Sequence, residues 1–115
     1  MSNETLQAIE QSIRAGKEVM EFGNSLARLR TNKDFKAVIL TGYFEQEAIR
    51  LVHLKADPSM QSVDMQRSII SQMDAIGALS QYFNTALHKS SLASKSVTYD
   101  QETLEEMAAA EVING

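Results

Sequence analysis

The sequence predicts an all-α protein. Three observations carry the prediction. Apolar residues recur at helical 3-4 spacing over three long stretches, one of them as an unbroken heptad-like seam. The only proline, Pro58, separates the second stretch from the third. A polar Thr31-Asn32-Lys33 turn signal separates the first from the second. The expected architecture is three long helices forming a bundle. A helical hairpin over residues 34–88 packs with an N-terminal helix, and a short acidic helix follows at the C-terminus.

The first helix is expected over residues 3–30, with Asn3 or Ser2 as its cap and Glu4 at the positive end of the helix dipole. Its apolar stripe runs Leu6, Ile9, Ile13, passes Gly16, and resumes at Val19, Phe22, Leu26 and Leu29. Gly16 and Gly23 lie seven residues apart on one face. Each weakens a helix interior by about 1 kcal/mol relative to alanine. They are either tolerated defects or points where a missing side chain lets two helix backbones meet.

Asp34 is the expected N-cap of the second helix, over residues 35–55. Two apolar rows overlap on it: Phe35, Val38, Ile39, Ile49, Val52, and Leu40, Phe44, Ala48, Leu51. Together they cover more than half the circumference, which places such a helix centrally or in an oligomer interface. Pro58 disfavours helical backbone at Asp57, so the chain turns there. The third helix begins within residues 59–64 and is expected to end near His88. Its seam is Ile69, Met73, Ile76, Ser80, Phe83, Leu87, flanked by Met65, Ala75, Leu79, Tyr82 and Ala86. The serine-rich run from Lys89 reads as a linker over 89–99. The chain thus divides into a bundle (1–88), a linker and an acidic helix or tail (100–115), within a single domain overall. The last helix is carried by Leu104, Met107, Ala108 and Val112.

A chain of 115 residues with 43% hydrophobic residues can build one modest core, largely aliphatic because it holds no Trp and only four Phe and three Tyr. The absence of cysteine excludes disulfides and thiolate chemistry. The polar, acidic start is not a signal peptide, and no apolar run approaches the roughly 20 residues of a membrane span. A soluble protein is expected, with no membrane partner. The net charge of −4 is uneven. Every Lys and Arg lies at or before Lys95, whereas Asp100, Glu102, Glu105, Glu106 and Glu111 follow with no base among them.

No residue set converges on catalysis, and no catalytic, cofactor or metal residue is assigned. His53 and His88 are the only histidines and lack helical metal-ligand spacing with a carboxylate. Glu45/Glu47, Asp57/Asp64 and Glu102/Glu105/Glu106 read as solvated faces. The serines at 90, 91, 94 and 96 have no base partner. The residues most suited to protein contacts are Ile13, Gly16, Met20, Phe22, Gly23 and Leu26 on the first helix, with Leu104 and Met107 in the acidic helix. Arg28, Arg30, Lys33 and Lys36 form a basic corner able to meet phosphate or an acidic partner. The acidic helix is one such partner, from the same chain or from a neighbour.

The block F-K-x-x-I-L-x-G-Y-F-x-x-E-A-x-R-L-V-x-L-K-A-D-P, from Phe35 to Pro58, is followed by D-A-I-G-A-L-x-x-Y-F, from Asp74 to Phe83. These blocks resemble small helical proteins of tailed bacteriophages, of the kind encoded among head and morphogenesis genes. The resemblance covers less than half of the chain and carries over no functional residue. It implies a virion component or assembly factor without enzymatic activity, found in the virion or the host cytoplasm. The partners it implies are other virion proteins and further copies of the chain. Two other readings stay open: a small phage regulator that inhibits a host protein, and a DNA-binding accessory protein using the basic corner.

Overall fold

The computed structural model describes residues 3–114, so Ser2, the alternative cap, and Gly115 lie outside the described residues. The protein is all-α, with no strand among those residues. Helix α1 spans Asn3–Thr31, with Glu4 in its first turn and Arg28 and Arg30 in its last, each suited to the dipole end beside it. One residue then turns the chain. Asn32 is extended (φ −66°, ψ 130°), and its Oδ1 accepts the Phe35 N–H at 3.0 Å. Asn32 therefore caps the next helix in place of Asp34. Asp34 already lies inside the single helical turn α2, Lys33–Phe35, past the position where a side chain caps.

The second arm is continuous helix from 33 to 56 but is not uniform. Lys36–Glu47 is π-helical, and α3, Ala48–Ala56, returns to α geometry. In a π-helix each N–H bonds five residues back, so successive side chains fan out with a different period from the α-helical one. The two expected apolar rows consequently separate. Leu40, Phe44, Ala48 and Leu51 turn inward, and Leu51 is fully buried (0% exposed). Val38 (65% exposed), Ile49 and Val52 face out, and only Phe35 and Ile39 of their row are half-buried.

At the second corner Asp57 is extended (φ −65°, ψ 126°), as a residue before proline should be. Its carboxylate accepts the Ser59 N–H and the Ser59 hydroxyl, both at 2.8 Å, starting the 3₁₀ turn Pro58–Met60. Two glutamines finish the corner. Gln61 Nε2 donates to the Lys55 and Asp57 carbonyls, and Gln66 Nε2 donates to those of Lys55 and Met60. The Lys55 carbonyl, left open near the end of α3, thereby gains two donors, and the corner carbonyls of Asp57 and Met60 gain one each. Ser62 Oγ then accepts the Met65 N–H at 3.2 Å at the entry to the last helix.

That helix, α4, runs unbroken from Val63 to Asn114, 52 residues. The expected linker over 89–99 and the expected end near His88 are therefore corrected: both regions, and the acidic stretch, belong to one helix. Serine has only a moderate intrinsic preference against helix, and packing along the seam outweighs it. The stretch contains no Gly or Pro to stop the helix.

The chain forms two compact units, residues 3–25 with 86–114, and Leu26–Thr85. The first 23 described residues of α1 therefore group with the C-terminal half of α4, whereas a bundle with the hairpin was expected. In the Leu26–Thr85 unit, Leu51, Ile69 and Ile76 form the core, with Tyr43, Phe44, Ala48, Leu54, Met60 and Met73 packed around them. Phe83 closes one side, its ring 5.8 Å from those of both Phe35 and Phe44 in tilted or edge geometry.

Leu51→Ala should cost about 2–5 kcal/mol by leaving a cavity, seen as a loss of chemical-denaturation midpoint. Ser59 holds the Asp57 carboxylate below its ordinary pKa through its backbone N–H and then its hydroxyl. A depressed folded-state pKa stabilises the fold above the unfolded-state pKa, and that contribution is lost as pH falls through the folded value. The difference in thermal midpoint between the native chain and Asp57→Ala should be steady near neutral pH. It should shrink as the pH drops below about 4.

Candidate functional site

In the unit built from residues 3–25 and 86–114, the two helices run antiparallel. Ser12 Oγ donates to Asp100 Oδ2 at 2.8 Å, and Gly16 and Gly23 lie opposite Val97 and Ser90 respectively. A Cβ added to Gly23 would sit 2.2 Å from Ser90 Cβ and 2.0 Å from its Oγ. At Gly16 it would meet Val97 Cγ2 at 2.5 Å, with the Ala93 carbonyl 3.7 Å away. The glycines are thus points of close backbone approach, the second of the two readings open from sequence. A helix pair that meets on small residues gains dispersion contacts along both backbones.

The sequence-predicted contact residues distribute as follows. Ile13 and Gly23 are buried, while Gly16, Met20, Leu104 and Met107 are half-buried within this unit. Leu26 is buried in the other unit. Phe22 departs from them, being 52% exposed. The inward line of α1 is Ile9, Ile13, Gly16, Met20, Gly23, a regular 4-3-4-3 series, so the expected stripe through Val19 and Phe22 follows the wrong side of Gly16. Most of these residues therefore pair within the chain.

Residues missed from sequence are Ser90, Ala93, Ser94 and Val97. Their signal was present: beyond Phe83 the α4 seam continues in 3-4-3-4 steps through Ala86, Ser90, Ala93 and Val97, with Ser94 half-buried beside it. Serine at a seam position reads as polar linker unless its partner is known to be glycine. The acidic stretch packs with the start of α1, where Leu104, Met107 and Ala108 line a shallow groove with Leu6 and Glu10. The basic residues Arg28, Arg30, Lys33 and Lys36 belong to the other unit and are all exposed.

Electrostatics are superficial. Arg50 pairs with Glu47 one turn away, and the hydrogen bond and then the charge of Glu47 raise the guanidinium pKa. Such exposed pairs contribute little. Among the described residues no three His, Asp or Glu side chains come together as a metal site, and no helix is long and apolar enough to cross a membrane. No family model, curated protein or solved structure matches the chain.

Gly77 is a control for the glycine argument, because a Cβ there meets nothing within 4 Å. Gly77→Ala should stabilise by about 0.5–1 kcal/mol. Gly23→Ala carries the same helix benefit but should be net destabilising, since overpacking costs about 1–3 kcal/mol. Thermal unfolding of the two variants, moving in opposite directions, checks the close approach.

Proposed function

We propose that this protein is a non-enzymatic component of a tailed-phage particle or of its assembly machinery, acting through helix–helix surfaces. The supporting observation is the set of large apolar side chains left outside the two cores. Val38, Ile49 and Val52 lie exposed on the second arm, and Phe22, Leu92 and Tyr99 on the pair formed by α1 and α4. Scattered exposed apolar residues need no explanation, but grouped ones mark interaction surfaces. In this reading the helices form a bundle-like scaffold that presents these rows to other virion proteins and to further copies of the chain. The tailed-phage resemblance of residues 35–83 supplies the biological setting.

A second reading is a small phage regulator that engages a basic patch on a host protein. The five acids from Asp100 to Glu111, with no base among them, favour it. The particle reading predicts that mass spectrometry detects the protein in purified virions or proheads. Absence from both, with a host protein recovered by affinity purification from infected cells, would replace it with the regulator.

A further inference from the structure

The pair formed by α1 and the second half of α4 has two unlike sides. At the 3.5 residues per turn of supercoiled helices, positions seven apart fall in one line. Ala8, Ala15 and Phe22 make such a line on α1, with Ser12 and Val19 in the line between it and the seam. On α4, Leu92 and Tyr99 make the corresponding line, with Ser96 between them and the seam. Antiparallel helices in a pair are related by a twofold normal to the face of the pair. Equal rotation away from the seam therefore puts both sets on the same face. The bond from Ser12 to Asp100 lies on that side.

This face is exposed and almost free of charge. Phe22 is 52% exposed, Leu92 51% and Tyr99 70%. Its outward charges are Lys89 at one end and Glu106 at the other, with Asp100 at the seam holding Ser12. Arg14, Lys17 and Glu21 of α1, and Glu105 of α4, fall on the opposite side by the same spacing, and Glu18, Lys95 and Glu102 lie on the line directly away from the seam. A two-helix unit whose buried residues, among those described, are Ile13, Gly23 and Val97 has little core of its own, and helices of this kind reach stability by burying a further face.

We infer that a second copy of this chain covers the face, making an antiparallel four-helix arrangement with α4 lying against α4. The proposal rests on the reading that the chain acts through helix–helix surfaces, but not on its place in a particle. Two features select a second copy as occupant. The first is charge: a twofold axis across α4 between Val97 and Thr98 brings Lys89 of each chain to Glu106 of the other. The second is shape. The same axis sets Tyr99 opposite Ser96, Leu92 opposite Thr103, Val19 opposite Ser12, and Phe22 near Ala8, so each bulky side chain meets a small one. Self-complementarity of this kind is what a closed twofold interface requires.

The test is the mass of the full chain by light scattering across a concentration series, with circular dichroism as a check on folding. Twice the 12.8 kDa chain mass at tens of micromolar is expected. Leu92→Glu with Tyr99→Glu should weaken the dimer at least about tenfold, or about 1.4 kcal/mol. Lys89→Glu alone should weaken it, and Lys89→Glu combined with Glu106→Lys should restore it. Because both of these side chains are exposed, that pair reports on the interface even if the apolar variants disturb folding. A native chain that stays at 12.8 kDa overturns the proposal. So does a dimer indifferent to Leu92→Glu and Tyr99→Glu in folded protein, or a charge swap that fails to restore association. Absence from virions alongside the expected dimer would end the particle reading and leave this one standing.

Discussion

Each unit of this protein is organised by a stripe on α4. A side chain returns to the packed face every three or four residues, through Ile69, Ile76 and Phe83 in the Leu26–Thr85 unit and through Ser90, Val97 and Met107 in the other. The π-helical segment and α3 pack on the first half of α4, and the early turns of α1 on its second. What changes along the stripe is residue size. Ile and Phe in the first half make a conventional apolar core, whereas Ser, Ala and Val in the second half meet glycine. Large residues hold the helices apart and gain from burial. Small ones let backbones approach and gain from dispersion over many atoms.

The π-helical stretch has a consequence for the surface. Both apolar rows of the second arm read as candidates for burial at an α-helical period. Changing the hydrogen-bond step over twelve residues lets only one row, ending at Leu51, reach the core. Val38, Ile49 and Val52 are left to solvent as a result. The two corners, by contrast, depend on polar detail. Asn32 and Asp57 are each an extended residue between helices whose side chain accepts from the turn that follows, and Gln61 and Gln66 both donate to the Lys55 carbonyl near the end of α3. Such short connections work because side chains supply the partners that the interrupted helices lack.

The candidate surfaces were less legible than the fold. Phe22 was placed with Ile13 and Leu26, although the structure turns it outward, because Gly16 adds no hydrophobic signal with which to follow the seam. The second half of α4 was hidden by its composition. Ser90, Ser91, Ser94 and Ser96 suggest a linker, yet Ser90 occupies a seam position and Ser94 is half-buried beside the seam. Local propensity is a weak guide there, since the decision belongs to a partner helix some seventy residues earlier in the chain.

By itself the sequence determined the all-α class, the two corners, the apolar seam from Ile69 to Leu87 and the uneven charge. All of these follow from local periodicity and from the restricted backbone around Pro58. Tertiary structure alone decided that α4 continues past Leu87, which row of the second arm is buried, and that Gly16 and Gly23 face Val97 and Ser90. Those outcomes depend on which backbone lies opposite, and glycine and serine carry no periodic hydrophobic signal from which a partner can be read.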